Sequence, residues 1–299
     1  MRVSAVALCL LAVTPFRLPA QSLSSTVENL RTEMDHITRD ARATVGVAFL
    51  HKGKLFSMND TVRFPLMSVY KLPIAVATLR KMERTHATSD TRVTVQPHQW
   101  APDTYSPMRE AYRDSSAQVR LGALLYYCVA ESDNNAADIL TDYVGGMDSV
   151  GMAVSADTVN GFHLSETEAD MHKDPERVYL NWAYPSSMVR LVNDIYDGKL
   201  LDSSSTLYLE QLLKATQTGT DKMRAGLPAH VQLGHKTGSS DRNAQGIKAG
   251  DNDLGVIYLP DGSLCYAAVF IKNSAESDRK NAEIIAALTR CIYHYVLRN

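Results

Sequence analysis

The chain has 299 residues, 45% of them hydrophobic and 21% charged, with 31 basic residues against 33 acidic ones. This composition is globular rather than disordered or fibrous, and the length suits one large domain or two closely packed lobes. Near-neutral charge without a basic run argues against nucleic acid or an anionic membrane surface as the main partner.

The first 20 residues read as a secretory signal peptide. Arg2 supplies the positive start, 3–16 is an apolar run containing Cys9, and Leu18-Pro19-Ala20 offers small-residue cleavage before Gln21. The run is too short to span a bilayer. Leu8 stands where a lipidated Cys9 would need a small residue. An uncleaved anchor is the other reading of this segment. Cleavage leaves Cys128, Cys265 and Cys291, all in apolar segments where buried free thiols are expected. Export permits a disulfide, but an odd number leaves one thiol unpaired within the chain.

Apolar spacing at Val27, Leu30, Met34 and Ile37 predicts a helix over 25–43. A β-rich segment over 44–50, a turn at His51-Lys52-Gly53-Lys54 and a strand resuming at Leu55-Phe56 predict a hairpin. Leu72, Ala75, Val76 and Leu79 place a helix over 68–82, and Pro97, Pro102 and Pro107 mark an extended loop after it. Helices are expected over 119–129 and 136–144, with 131–135 between them. The segment 161–185 is polar, acidic and poorly periodic, a long loop of the kind that is usually functional. Helices over 186–196 and 204–216 follow. Strands over 231–236, 253–259 and 264–271 and an amphipathic helix over 278–297 close the chain. One sheet built from both chain ends, with a helical lobe inserted, is the simplest packing. The expected division is an α/β domain from 21–62 and 217–299 and an all-α domain from 63–216.

Three triplets carry chemistry. Ser68-Val69-Tyr70-Lys71 is an S-x-x-K at the start of an apolar helix, where i, i+3 spacing puts hydroxyl and amine on one face. A free serine is a poor nucleophile and needs an adjacent base, while a helix N-terminus favours an oxyanion. Ser132-Asp133-Asn134 lies between two helices. A serine there can pass a proton to a leaving nitrogen, and an asparagine amide can bind a carbonyl; an ordinary helix cap would look the same. Lys236-Thr237-Gly238 ends a strand, with a cation and a hydroxyl for a carboxylate and a glycine for close backbone approach. No G-x-G-x-x-G, G-x-x-x-x-G-K-[ST], C-x-x-C or H-E-x-x-H occurs. Nucleotide, thioredoxin-like and zinc-hydrolase chemistry are therefore disfavoured.

In this order and spacing, the triplets resemble the set found in class A β-lactamases and penicillin-binding proteins. The resemblance spans nearly the whole chain after the signal segment. It implies the serine β-lactamase/DD-peptidase-like fold, an antiparallel sheet flanked by helices with an inserted helical domain. It also implies a deacylating glutamate in the long loop. Glu166 and Glu168 are the candidates. The family pattern Glu-x-x-x-Asn favours Glu168, with His172 in the asparagine place. Glu-Ala-Asp-Met-His, Asp138 in place of an asparagine that ties down the loop, and Asn181 in place of a neck aspartate resemble the PER-like and CfxA-like branch, subclass A2. These departures imply a rearranged, longer loop and a roomier site.

By the same resemblance Ser68, Lys71, Ser132 and Glu168 are catalytic. Tyr105, Asn134, His172, Lys236, Thr237, Gly238 and Ser239 bind substrate, and the Ser239 N–H joins that of Ser68 in the oxyanion hole. Gln245 stands where many relatives have a carboxylate-binding arginine; Lys222, or failing that Arg224, is expected to compensate. No metal or organic cofactor is implied. The implied protein is a secreted, periplasmic monomer acting on a small-molecule β-lactam, with no nucleic acid and no membrane partner after cleavage. A penicillin-binding DD-peptidase and a non-hydrolysing β-lactam sensor are the alternatives.

Overall fold

The computed structural model describes residues 21–112, 116–155 and 160–299, with side chains from residue 27 onward. The expected signal segment, with Cys9, lies outside the described residues. Helix α1 (Gln21–Thr38) stops before the expected 43, where a turn at Arg39-Asp40 leads into the sheet. Strands β1 (Thr44–His51) and β2 (Lys54–Met58) form the expected hairpin. Lys52 and Gly53 between them have φ of 46° and 74°, a turn whose twist matches the flanking strands. Then β3 (Phe64–Pro65) leads through a 3₁₀ turn, Met67–Tyr70, into α2 (Lys71–Thr85).

Strand β4 (Arg92–Val95), helix α3 (Pro107–Tyr112) and strand β5 (Ala117–Arg120) come next, with β4 and β5 paired. Four-residue segments are too short to show a period, which is why the sequence conceals this ribbon. Helices α4 (Leu121–Val129), α5 (Asn134–Val144) and α6 (Met147–Val154) follow. The expected long loop contains β6 (Phe162–His163), α7 (Glu168–Lys173) and β7 (Trp182–Ala183). After α8 (Pro185–Tyr196) and α9 (Ser203–Lys214), strands β8 (Leu233–Ser239), β9 (Lys248–Tyr258) and β10 (Leu264–Ser274) lead to α10 (Asp278–Val296).

The main sheet runs β2-β1-β10-β9-β8, antiparallel throughout, so strands from both ends of the chain share it. Period-two alternation lets one strand serve two cores. Val45, Val47 and Phe49 of β1 face α1 and α10, against Leu30, Met34, Ile284, Ile285 and Leu288. Ala48 and Leu50 face the other way, into a larger core with α8 and the helices around α2. Helix α2 runs through that core with Leu72, Ile74, Ala75, Val76 and Leu79 buried. The antiparallel sheet with flanking helices is the architecture the sequence implied. Cys128, Cys265 and Cys291 are buried and unpaired. No helix among the described residues is long and apolar enough to cross a membrane.

The α10 face tests the two-core arrangement. Ile285 is fully buried between α10 and the sheet, so Ile285→Ala is expected to cost about 2–5 kcal/mol through lost burial and a residual cavity. Chemical denaturation of the two proteins measures it.

Candidate active site

Three segments converge on one ammonium. Lys71, the first residue of α2, has no solvent exposure. Its Nζ lies 3.0 Å from Ser68 Oγ, 2.8 Å from the Ser132 carbonyl oxygen, 2.5 Å from Asn134 Oδ1 and 3.0 Å from Glu168 Oε1. The 3₁₀ turn brings Ser68 onto the lysine as the S-x-x-K spacing predicts. Met67, just before Ser68, has φ of 48°, and Ser132 has φ of 61°. Left-handed backbone is costly for residues with a Cβ, and surrounding structure must enforce it. Around Met67 that structure is visible: Asn252 Nδ2 donates to the carbonyls of Pro65 and Leu66 at 2.7 and 3.0 Å, and Leu66 N–H donates to the Asn181 carbonyl at 2.8 Å.

The Ser132 loop is fixed by its middle residue. Asp133 caps α5 through Ala136 N–H at 2.8 Å and accepts from Ser106 Oγ and Met108 N–H. Asn134 N–H donates to the Tyr105 carbonyl, and Asn134 Nδ2 donates to Thr104 Oγ1 at 2.6 Å. Tyr105 is thereby held at the rim, with 57% of the residue exposed. Lys236, fully buried midway along β8, donates to Ser132 Oγ at 2.8 Å and to the Thr237 carbonyl at 2.9 Å. Burial, then the charge on Lys71, push the Lys236 ammonium down to about 7. Thr237 Oγ1 sits 2.6 Å from Thr218 Oγ1. Gly238 lets β8 run against the Ser68 turn. A Cβ there would lie 2.6 Å from the Leu66 carbonyl oxygen and 2.9 Å from the Ser68 nitrogen. Ser239, next on, is exposed at the strand end.

The two glutamates separate. Glu166 is buried, paired with Arg177 and hydrogen-bonded by Ser165 Oγ. Glu168 faces Lys71. Asp138 grips the start of α7, accepting from Glu168 N–H at 2.8 Å and Ala169 N–H at 2.9 Å. Burial, then the Glu168 charge, push its carboxyl up to about 7. Asn181 accepts from the N–H groups of Ser165 and Glu166 and donates to the Glu166 carbonyl. The neck of the loop is thus closed by a neutral amide on backbone, with the ion pair moved to Glu166–Arg177.

Two expected binding residues are placed otherwise. His172 is exposed, and its ring makes no hydrogen bond among the described residues; Met171 takes the inward position on α7. Lys222 is no open cation. It is buried with Nζ 2.5 Å from Asp251 Oδ1, because a desolvated ammonium needs a counter-charge. Arg224 is spent on the carbonyls of Leu227, Pro228 and Val231. Gln245 lies exposed in a turn. The residues missed altogether are the consecutive Asp251, Asn252 and Asp253, all buried in β9. Asp251 meets Lys222, Lys248, Asn281 and Ser239, and Asp253 meets His235 and Met223 N–H. Three polar residues between Gly250 and the apolar 254–259 were the available signal. The expected strand begins only at Asp253, whereas β9 runs from Lys248.

Comparison with known proteins agrees with this geometry. The sequence model of the β-lactamase enzyme family matches residues 29–296. The chain belongs to that family. A β-lactamase of Bacteroides uniformis is 42% identical over 270 residues, covering 89% of this chain and 91% of that protein. The extended-spectrum β-lactamase PER-1 of Pseudomonas aeruginosa is 33% identical over 307 residues, covering 99% and 95%. The crystal structure of a class A β-lactamase from Bacteroides cellulosilyticus superposes with a TM-score of 0.89 at 38% identity, covering 92% of this chain and 99% of that one. This β-lactamase therefore shares class A fold and family across nearly its whole length.

Gly238→Ala tests the close approach of β8 to the nucleophile. The carbonyl and amide that a methyl would meet are backbone and cannot rotate away. The expected result is a fall in hydrolysis of at least about tenfold, with stability lowered by about 1–3 kcal/mol from overpacking. Steady-state kinetics and thermal unfolding of the variant measure both.

Proposed function

We propose that the chain hydrolyses the lactam ring of penicillins and cephalosporins through an acyl-enzyme on Ser68. The observation that carries the reading is Lys71 shared between Ser68 and Glu168, each at 3.0 Å. Nucleophile, proton acceptor and a second carboxylate stand in one buried cluster, as stepwise acylation and hydrolysis require. Ser68 Oγ bonds to the lactam carbonyl carbon and gives its proton to the Lys71–Glu168 pair. Backbone N–H groups of Ser68 and Ser239 receive the oxyanion. The carbon–nitrogen bond breaks as Ser132, held by Lys236, passes a proton to the leaving nitrogen. Glu168 then takes a proton from water, which attacks the ester and releases Ser68.

Substrate carboxylate binding falls to Lys236, Thr237 and Ser239, with Asn134 and Tyr105 at the opposite wall. Lys222 acts behind this wall through Asp251. His172 stands at the exposed end of α7. The altered loop neck, and the likeness to an extended-spectrum enzyme, support activity on oxyimino-cephalosporins. The N-terminal pattern supports export to the periplasm with cleavage after Ala20, and action there as a monomer. The same reading divides the chain into an α/β domain from 21–62 and 217–299 and an all-α domain from 63–216.

Ser68→Ala is expected to abolish turnover. Glu168→Ala is expected to acylate and then stall, so mass spectrometry of the variant with a cephalosporin should show a stable adduct. Normal turnover by Glu168→Ala alongside a stalled Glu166→Ala would transfer the role to Glu166.

Lys236 gives a pH test. A base whose pKa is lowered to about 7 is charged below that pH and neutral above it. Attraction for the substrate carboxylate therefore fades as pH rises, and kcat/KM is expected to fall through an alkaline limb starting near 7. A bound carboxylate favours the ammonium, so the matching limb in kcat should lie higher. Coincident limbs in the two pH profiles would remove Lys236 from carboxylate binding.

Spectrum is read by comparing kcat/KM for a penicillin, an oxyimino-cephalosporin and a carbapenem. Appreciable oxyimino-cephalosporin hydrolysis is expected, and strict penicillin preference would end the extended-spectrum reading.

A further inference from the structure

Tyr70 lies between the nucleophile and Lys71 and is fully buried. Its hydroxyl is shut off from solvent and makes no hydrogen bond of ordinary geometry among the described residues, yet it lies near enough to the Glu168 carboxylate for a weak hydrogen bond there to add to the rise of the phenol. A buried hydroxyl left unmatched is costly, and a phenylalanine would fill the same space without that cost. The residue next to it shows the opposite imbalance. An ammonium carries three N–H donors, yet four acceptors surround Lys71: Ser68 Oγ, the Ser132 carbonyl, Asn134 Oδ1 and Glu168 Oε1. Three N–H groups cannot each serve one of four acceptors, so two of the acceptors must share a donor. One surplus donor and one undersupplied acceptor thus occupy the same closed cluster. The hydroxyl also lies in the field of Glu168 and Asp138. After burial itself, these two carboxylates are the largest causes that push the phenol well above its ordinary range.

We propose that Tyr70 is a positioning residue for deacylation, whose O–H closes onto the Glu168 carboxylate when acylation draws Lys71 toward Ser68 and Ser132. Catalytic hydrogen bonds are often long in the resting enzyme and tighten once substrate is engaged. The Asp138 oxygens already take the N–H groups of Glu168 and Ala169, so Glu168 has the greater need of a donor. Glu168 is faced by Lys71 from α2, Asp138 from α5 and Tyr70 from the 3₁₀ turn, with Cys128 of α4 behind; Asp170, His172 and Lys173 share its own helix. Among these, Tyr70 is the neutral donor. A donor to the ionised form lowers a carboxyl pKa. Loss of the hydroxyl therefore removes a contact that favours the ionised base over its protonated form.

The inference rests on Glu168 being the deacylating base, and its test separates the two. Tyr70→Phe is compared with the unaltered enzyme and with Glu168→Gln by stopped-flow and steady-state hydrolysis of a chromogenic cephalosporin across pH. The expected result for Tyr70→Phe is acylation within about twofold, deacylation slowed about tenfold, as loss of one hydrogen bond to a charged group implies, and an acidic limb of kcat moved to higher pH. The thermal midpoint should be unchanged or raised, since a packing role alone would gain from removing an unmatched hydroxyl. Unchanged kcat and acidic limb in Tyr70→Phe, with Glu168→Gln stalled as an adduct, overturn the role of Tyr70 alone. Full turnover by Glu168→Gln overturns the reading of the base and the inference with it. Should Tyr70→Phe fail to fold, 3-fluorotyrosine at position 70 keeps the size and strengthens the donor. Its acidic limb is then expected to move to lower pH, and an unmoved limb would equally overturn the inference.

Discussion

Lys71 is an ion without water, and the rest of the site is arranged around that fact. Moving an ammonium out of solvent is expensive unless its partners are close and correctly placed. Those partners come from α2's own entry turn, from the loop between α4 and α5, and from the start of α7. None is near the others in sequence, so the charge ties three parts of the helical region together. Each tie is secured in turn by a neutral or acidic residue on backbone: Asp133 for the Ser132 loop, Asp138 for α7 and Asn181 for the loop neck. The geometry of the cluster follows from satisfying one buried charge.

The second buried cation, Lys236, enters from the sheet and meets the first through Ser132. Two like charges in one dry pocket repel, and burial disfavours both. The cost is borne in part by the acids of β9. Asp251 and Asp253 sit in a strand register opposite Ser239 and Thr237 and carry negative charge to the back of β8. Asn252, between them, faces the other way and holds the nucleophile turn. A single strand thus supports the site on both of its faces by simple alternation.

Much of this was legible beforehand because the motif residues do their work locally. Ser68 and Lys71 share a helical turn, and Lys236 to Gly238 lie along one strand, which runs on to Ser239, so spacing alone aligns them. The hairpin was legible because Lys52-Gly53 specifies its turn. Residues whose meaning depends on distant partners were not legible. Lys222 looked like a free cation until Asp251 appeared beside it. The helix in the loop was hidden because its capping box, Thr167 with Asp170, and the grip of Asp138 make it, while its six residues show no period. Glu166 and Glu168 were distinguishable only by alignment to a family pattern. In the fold, Arg177 claims one and Lys71 the other. Tyr70 stands in the sequence only as a spacer of the S-x-x-K, and nothing in its neighbours along the chain betrays a buried hydroxyl.

The three thiols have a bearing on how the protein is handled. Cys128 and Cys291 are pushed up to about 12 and Cys265 higher still, by burial above all. Thiolate is the reactive form, so an alkylating reagent finds almost none while the chain is folded. The positions divide across the architecture, with Cys128 behind Lys71, Cys265 in the sheet and Cys291 on the last helix. Modification at each therefore clocks the opening of its own region, and the enzyme carries three native timers of local unfolding that need no label.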